Sequence, residues 1–303
     1  MAVNAGPFIV VDHARLAVSI LFFVNGAVLA SWLPHIPAVK ARLTSGDGQL
    51  GLVLLAMAGG ALVALPAAGW LIVSRLGSRA LSSAAAIALC LAMPLPVLSP
   101  SLPALVATLA VLGACNGLLD VSMNAQAAVV EQRRGRSIMS SFHALFSLGG
   151  VAGALMASGA MSLGLDDRAH VGLAALVALA AVGLALPGLV PATPTPDATA
   201  PALARPSRVL LALGVLALLG LLAEGAMADW SAVYLHDTLG ASPALAAMGF
   251  AAFSLAMAVG RTGGDVLVDL LGPRRVLRVS AAVAALGLAA ALLVGQPAVG
   301  VVG

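Results

Sequence analysis

Nine stretches of this chain are each long and apolar enough to cross a lipid bilayer, and no other property of the sequence restricts its fold as tightly. A spanning helix needs about 20 mostly apolar residues. Runs of that kind lie at roughly 15–36, 49–73, 80–98, 102–130, 138–163, 170–190, 208–235, 244–271 and 276–296, and a tenth begins near Pro297. Charges or Pro and Gly clusters separate them. Backbone amides in hydrocarbon must be satisfied within the protein, so only helices and closed barrels span. These runs are rich in Ala, Leu and Gly and lack the short alternation of barrel strands. The expectation is an all-α polytopic membrane protein. Residues 1–14 carry no strongly basic segment, so the first span is expected to be a retained helix rather than a cleaved signal peptide.

Composition closes off the alternatives. The chain is 61% hydrophobic and 9% charged, against roughly 45–50% and about 25% in soluble domains. Its 15 Lys and Arg with 12 Asp and Glu, 27 charges in all, cannot coat the exterior of 303 residues. The net charge of +3 comes from scattered arginines, which excludes a basic nucleic-acid-binding face. Cys90 and Cys115 stand alone in separate apolar runs, so no disulfide or zinc framework is expected, and no metal or cofactor is. The chain has no GxxxxGK[ST] loop, so ATP is not the energy source within it.

Lys and Arg concentrate on the cytoplasmic side of a bilayer. With the N-terminus inside, Arg15, Arg75, Arg79, Arg133, Arg134, Arg136, Arg205, Arg208, Arg274, Arg275 and Arg278 are all internal. Lys40, Arg42 and Arg168 are external, and Arg261 falls within a span. This predicts a multi-pass protein of a bacterial inner membrane with a cytoplasmic N-terminus. Trp32 and Trp230 fall near outer helix ends and Trp70 near an inner one, where amphipathic rings are expected to sit at the interface. Residues 191–207, PATPTPDATAPALARPS, hold five prolines and read as an extended cytoplasmic linker. It divides an N-terminal half of six spans, 1–190, from a partial second half, 208–303. The two parts repeat weakly. GWLIVSRLGSR (69–79) and DVLVDLLGPRR (265–275) align at an offset of 195 residues, which pairs Gly77 with Gly272 and Arg79 with Arg274. Such repeats mark two-half transporters.

The same loops resemble the signature of major facilitator superfamily transporters, which runs Gly, apolar residues, Asp, Arg, any residue, Gly and then basic residues. In the first copy Arg75, Gly77 and Arg79 fit, Ser74 stands at the acidic position, and the leading Gly is displaced to Gly69. In the second, Asp269, Gly272, Arg274 and Arg275 are in place and Asp265 takes the leading position. GLLDVSMNAQAAVVE (117–131) and SIMSSFHALFSLGG (137–150) are similar to a bacterial subgroup related to fucose and other sugar:proton symporters. The resemblance implies twelve helices in two six-helix halves, related by a pseudo-twofold along the membrane normal. It also implies a central cavity lined by the first, fourth, seventh and tenth helices, alternating access, and motif loops that act as conformational latches. About nine to ten of the twelve helices are present here, and the last ones are expected to be missing.

An ionisable group at bilayer depth costs on the order of 2.5–3.5 kcal/mol on insertion scales, so each is a functional candidate. Asn116, Asp120 and Asn124 step by four along the fourth span and share a stripe that faces protein or water. Glu131 at its inner end is expected to pair with Arg133 or Arg134. On the seventh span Glu224 and Asp229 stand roughly 140 degrees apart, so at most one is expected to point into a cavity. Glu224 is the deeper and is assigned to the pathway; Asp229 is assigned to gating or packing. Through the family resemblance, Asp120 and Glu224 are expected to approach each other from opposite halves. Arg261, Asp265 and Asp269 step by four on the eighth span and read as a self-neutralising structural or gating set. His143, with Ser147 one turn on, is either a packing residue or a proton-exchanging one. Asn25 and Gly26 interrupt the first span for solute contact or close helix approach, and glycine runs such as Gly59–Gly60 and Gly149–Gly150 read as helix crossings.

These features predict a secondary active transporter, monomeric in the lipid bilayer, that moves a small polar solute with protons. A carboxylate moved between wet and dry surroundings changes its affinity for a proton, which suits such coupling. A drug or metabolite exporter running as a proton antiporter is the rival reading, and an inactive truncated remnant a third. An intramembrane enzyme using Ser141 or Ser147 with His143 lacks any constellation beyond one span.

Overall fold

The computed structural model describes residues 7–135, 138–191, 207–297 and 300. The prolyl linker therefore lies almost wholly outside the described residues, as do Arg136, Arg205 and most of the chain after Pro297. Among the described residues all regular structure is helical. The order is α1 (Pro7–Trp32), a 3-10 turn leading into α2 (Ile36–Arg42), α3 (Asp47–Leu71), α4 (Gly77–Ala92), α5 (Leu95–Leu98), α6 (Leu102–Arg134), α7 (Met139–Ser162), α8 (Asp167–Ala185), α9 (Arg208–Val233), α10 (Pro243–Leu271) and α11 (Pro273–Val294). Nine of these segments are long and apolar enough to cross a membrane, and they coincide with the nine runs read from sequence.

Helix ends follow local chemistry. Ser101, Ser207 and Ser242 each accept a hydrogen bond from a backbone amide in the first turn of α6, α9 and α10, and prolines follow Ser101 and Ser242 closely. Gly135 ends α6 in the left-handed conformation at φ 65. Gly77 and Gly272, aligned by the repeat, adopt nearly the same backbone (φ 70, ψ 161 and φ 79, ψ 150), a region open essentially to glycine alone. At about 1.5 Å per residue the 33 residues of α6 extend about 50 Å, so Glu131, Arg133 and Arg134 project beyond a hydrocarbon core about 30 Å thick.

Lipid supplies no hydrophobic drive between helices, so tight contact comes from small residues that let backbones meet. At the α1–α7 crossing a side chain on Gly26 would meet the Phe146 carbonyl, and one on Gly149 would meet that of Phe23. The α3–α6 crossing repeats the device, with Gly60 against the Ala110 carbonyl and Gly113 against that of Met57. The main core lies within the first six spans. By contrast α9 and α11 expose leucines and valines along their length, a surface that hydrocarbon tolerates and water does not.

Gln126 on α6 ties three elements together. Its amide nitrogen donates to the Ser78 hydroxyl (2.7 Å) and the Val190 carbonyl (2.9 Å), while its oxygen accepts from the Val190 amide (2.9 Å). Nothing in the stripe argument pointed to this uncharged, fully buried residue.

Two sequence expectations are revised. Trp32 is not an interfacial ring: it is 1% exposed, inside the core. Glu131 does not pair with the adjacent arginines. Its carboxylate accepts from the amides of Ile138 and Met139 (2.8 and 2.9 Å), because the start of α7 offers it unsatisfied amides. Arg134 instead pairs with Asp12 at 3.2 Å, which places the start of α1 and the end of α6 at one face.

Gly113→Val is expected to wedge α3 from α6 and to lower stability by about 1–3 kcal/mol, whereas Gly159→Val, with nothing within 4 Å of the added atom, leaves it unchanged. Gln126→Ala strands Ser78 and both backbone groups of Val190 and is expected to lose on the order of 2–4 kcal/mol. Thermal unfolding of the purified protein in detergent checks both.

Candidate functional site

Helices from both sides of the linker enclose a cavity of about 300 Å³. α1 contributes Gly26 and Leu33, α3 contributes Met57, α6 Asn116, α7 Phe146 and Ser147, α9 Glu224 and Asp229, and α10 Phe250, Phe253 and Arg261. The wall is mostly apolar and aromatic, with a few converging polar groups, as in sites for small ligands.

Arg261 organises the polar part. One guanidinium nitrogen donates to the Ser147 hydroxyl on α7 at 2.5 Å, and another lies 3.4 Å from the Glu224 carboxylate on α9. A single fork thus bridges both sides of the cavity and supplies Glu224 with a counter-charge. Ser147 in turn donates back to the His143 carbonyl at 3.4 Å, which fixes its lone pairs toward the arginine. On Asn116 the side-chain oxygen is buried and has no hydrogen-bond partner among the described residues, although the residue lines the cavity. Such an acceptor calls for a donor from a solute or water.

Asp120 lies off the cavity wall. Asn124 donates to its carboxylate (3.2 Å) and to its backbone carbonyl (2.8 Å), so two members of the α6 stripe satisfy each other and only Asn116 faces the cavity. Asp120 and Glu224 are not partners. His143 lies within electrostatic reach of Asp120, Glu224 and Arg261, its ring edge-on to Phe22 at 5.2 Å. Asn25 is 1% exposed, with its amide nitrogen on the Met123 sulfur at 3.9 Å, while the neighbouring Gly26 is what reaches the cavity.

Both Glu224 and Asp229 line the cavity, where at most one was expected. The reason is geometric: Gly225 and Ala228 face it directly, and their small side chains let the flanking acids on either side of that line reach in. Arg261 pairs across to Glu224 on α9, and the side chains of Asp265 and Asp269, with which it was expected to form a self-neutralising set, lie outside the described residues. In the motif loops Arg75 and Arg274 are exposed and Arg79 half-buried; the Arg75 guanidinium sits 5.8 Å above the Trp70 ring.

At the face away from these arginines, Lys40 is held by Asp47 (2.6 Å) and by Asp237 at the end of the seventh span (2.5 Å). Nearby, buried His35 stands 2.8 Å from His170 and 3.0 Å from Asp167. Sequence reading passed over both clusters, since isolated residues at helix ends form no spacing pattern until helices from distant parts of the chain converge.

The sequence matches the profile of the Major Facilitator Superfamily over residues 18–303. It is 35% identical over 289 residues to an uncharacterized MFS-type transporter of Yersinia pestis, covering 95% of this chain and 75% of that protein. It is 33% identical over 276 residues to the membrane protein MosC of Rhizobium meliloti, covering 91% and 67%. The fold is similar to crystal structures of the nucleoside transporter NupG, with a TM-score of 0.65 for a mutant form at 12% identity (86% of this chain, 69% of that one) and 0.63 for a second NupG structure, without that mutation, at 14% (86% and 68%). With nine candidate membrane spans among its described residues, a largely apolar cavity holding a few converging polar groups, and a match along most of its length, the chain belongs to the Major Facilitator Superfamily of membrane transporters.

Proposed function

We propose that this protein is a proton-coupled secondary transporter of a small, neutral, polar solute, working by alternating access between the segments before and after the linker. The observation that carries this reading is the cavity: walls from both segments, one bridging guanidinium, two carboxylates, and an Asn oxygen awaiting a donor. Its volume of about 300 Å³ lies at the lower end for ligand sites, which favours a monosaccharide- or nucleoside-sized solute over bulky drugs. Phe146, Phe250 and Phe253 offer apolar faces to a sugar or base ring. The Yersinia pestis relative is named as a transporter, and of the two serines an enzyme reading would use, Ser141 donates to the Ile138 carbonyl and Ser147 is committed to Arg261. Residence in a bacterial inner membrane as a monomer, with the N-terminus and the arginine-rich loops cytoplasmic, completes the reading.

Alternating access is supported by where the two segments touch. Among the described residues the hydrogen bonds that join them are Lys40 with Asp237, Ser158 with the Ala244 carbonyl at 2.8 Å, and Arg261 with Ser147. The first two lie at the face away from the arginine-rich loops, a pattern that suits a cavity closed on that face and open on the other.

Two outcomes are expected. In membrane vesicles with an imposed pH gradient, a panel of labelled monosaccharides, nucleosides and organic acids yields a solute whose uptake falls about tenfold or more in Glu224→Gln, with unchanged protein in the membrane. Uptake indifferent both to the gradient and to this substitution removes the assignment. Separately, in a chain with Cys90 and Cys115 replaced by Ser, Lys40→Ala increases labelling of Ala228→Cys by a membrane-impermeant maleimide severalfold from the face opposite the arginine-rich loops. Equal labelling with Lys40 present and absent shows that its ion pairs do not hold that face closed.

A further inference from the structure

The cavity holds three formal charges, and only two of them cancel. Glu224 stands against Arg261, whose second nitrogen is already engaged by Ser147. Asp229 also lines the cavity, five residues further along α9, and it makes no hydrogen bond or ion pair among the described residues. The other helices bring nothing to neutralise it: α1 presents Leu33, α3 Met57, α6 Asn116 and α7 Ser147, and from α10 Arg261 belongs to Glu224. Of the titratable groups nearby, His143 lies within reach of Asp120, Glu224 and Arg261 rather than of Asp229. Lys40, His236 and Asp237, beyond the end of the helix, satisfy one another. A carboxylate at membrane depth in a largely apolar cavity does not persist as a bare charge; it takes up a cation.

We propose that Asp229, rather than Glu224 or Asp120, is the residue that binds the coupled proton, while the Glu224–Arg261–Ser147 bridge is a fixed counter-charge that positions the solute. This rests on the proton-coupled reading given above and names its site. The geometry separates the roles. Moving a proton on or off Glu224 would break the charge balance of a bridge that spans both segments, whereas Asp229 exchanges one with no partner to strand. With the proton on, the cavity is neutral and suits an uncharged solute rich in hydrogen-bond donors and acceptors. With the proton off, it carries one net negative charge and disfavours anionic solutes.

Dicyclohexylcarbodiimide tests this without knowledge of the solute. It adds to a protonated carboxylic acid in an apolar setting: the carboxyl oxygen bonds to the central carbon, a carbodiimide nitrogen takes the acid proton, and acyl transfer to nitrogen leaves a stable N-acylurea. The purified full chain in proteoliposomes is treated across a range of pH, and the adduct is mapped by mass spectrometry. The expected result is an adduct on Asp229 about tenfold more abundant than on Glu224 or Asp120 and declining as pH rises. Asp229→Asn removes it, and Glu224→Gln leaves it in place. An adduct mainly on Glu224 or Asp120, or none on Asp229 at any pH, overturns the assignment. Mapping on the unsubstituted protein keeps the test decisive even where a variant folds poorly. The vesicle uptake screen is independent of it, so a proton gradient that drives uptake while Asp229 stays unlabelled sinks this assignment and spares the transporter reading.

Discussion

Hydrocarbon offers a polypeptide neither hydrogen bonds nor counter-charges, and the structure is shaped by that lack. Backbone groups are satisfied within helices, so the chain is helical throughout its described spans. Helices cannot be held together by exclusion of water, so glycines bring backbones into contact at the α1–α7 and α3–α6 crossings. Polar side chains must find partners inside the bundle. Gln126 uses both ends of its amide, Asp120 is capped by Asn124, and Arg261 is shared between Ser147 and Glu224.

Against that background the groups left unsatisfied carry the information. The Asn116 oxygen and the Asp229 carboxylate both face the cavity, where a solute, water or a proton can reach them. The contrast with Asp120 is instructive. Sequence spacing placed it in the most polar stripe of the chain, yet the neighbour that makes the stripe polar is also what satisfies it, and the cavity receives only Asn116.

Charges outside the spans are arranged differently at the two faces. On the arginine-rich face Arg134 meets Asp12, and Glu131 caps α7, contacts confined to the segment before the linker. On the opposite face Lys40 reaches from that segment to Asp237 in the other. An exposed pair of this kind contributes little to stability, typically about 0–1 kcal/mol.

Much of the architecture was legible from the chain. The nine apolar runs correspond to nine membrane-length helical segments among the described residues, and Gly77 and Gly272, aligned through a repeat of 195 residues, share a backbone conformation that few other residues adopt. These are local or periodic properties, written in the order of residues, because length, hydropathy and backbone permissiveness need no partner to act. The partners themselves were decided only in three dimensions. Arg261, read from spacing as one of a set along its own helix, reaches α7 and α9; Asp229, assigned to gating or packing, lines the cavity together with Glu224; Trp32 was expected at the interface and is buried. Each of those outcomes depends on helices far apart in sequence approaching one another, and the strength of a charge in lipid depends on which of them arrives.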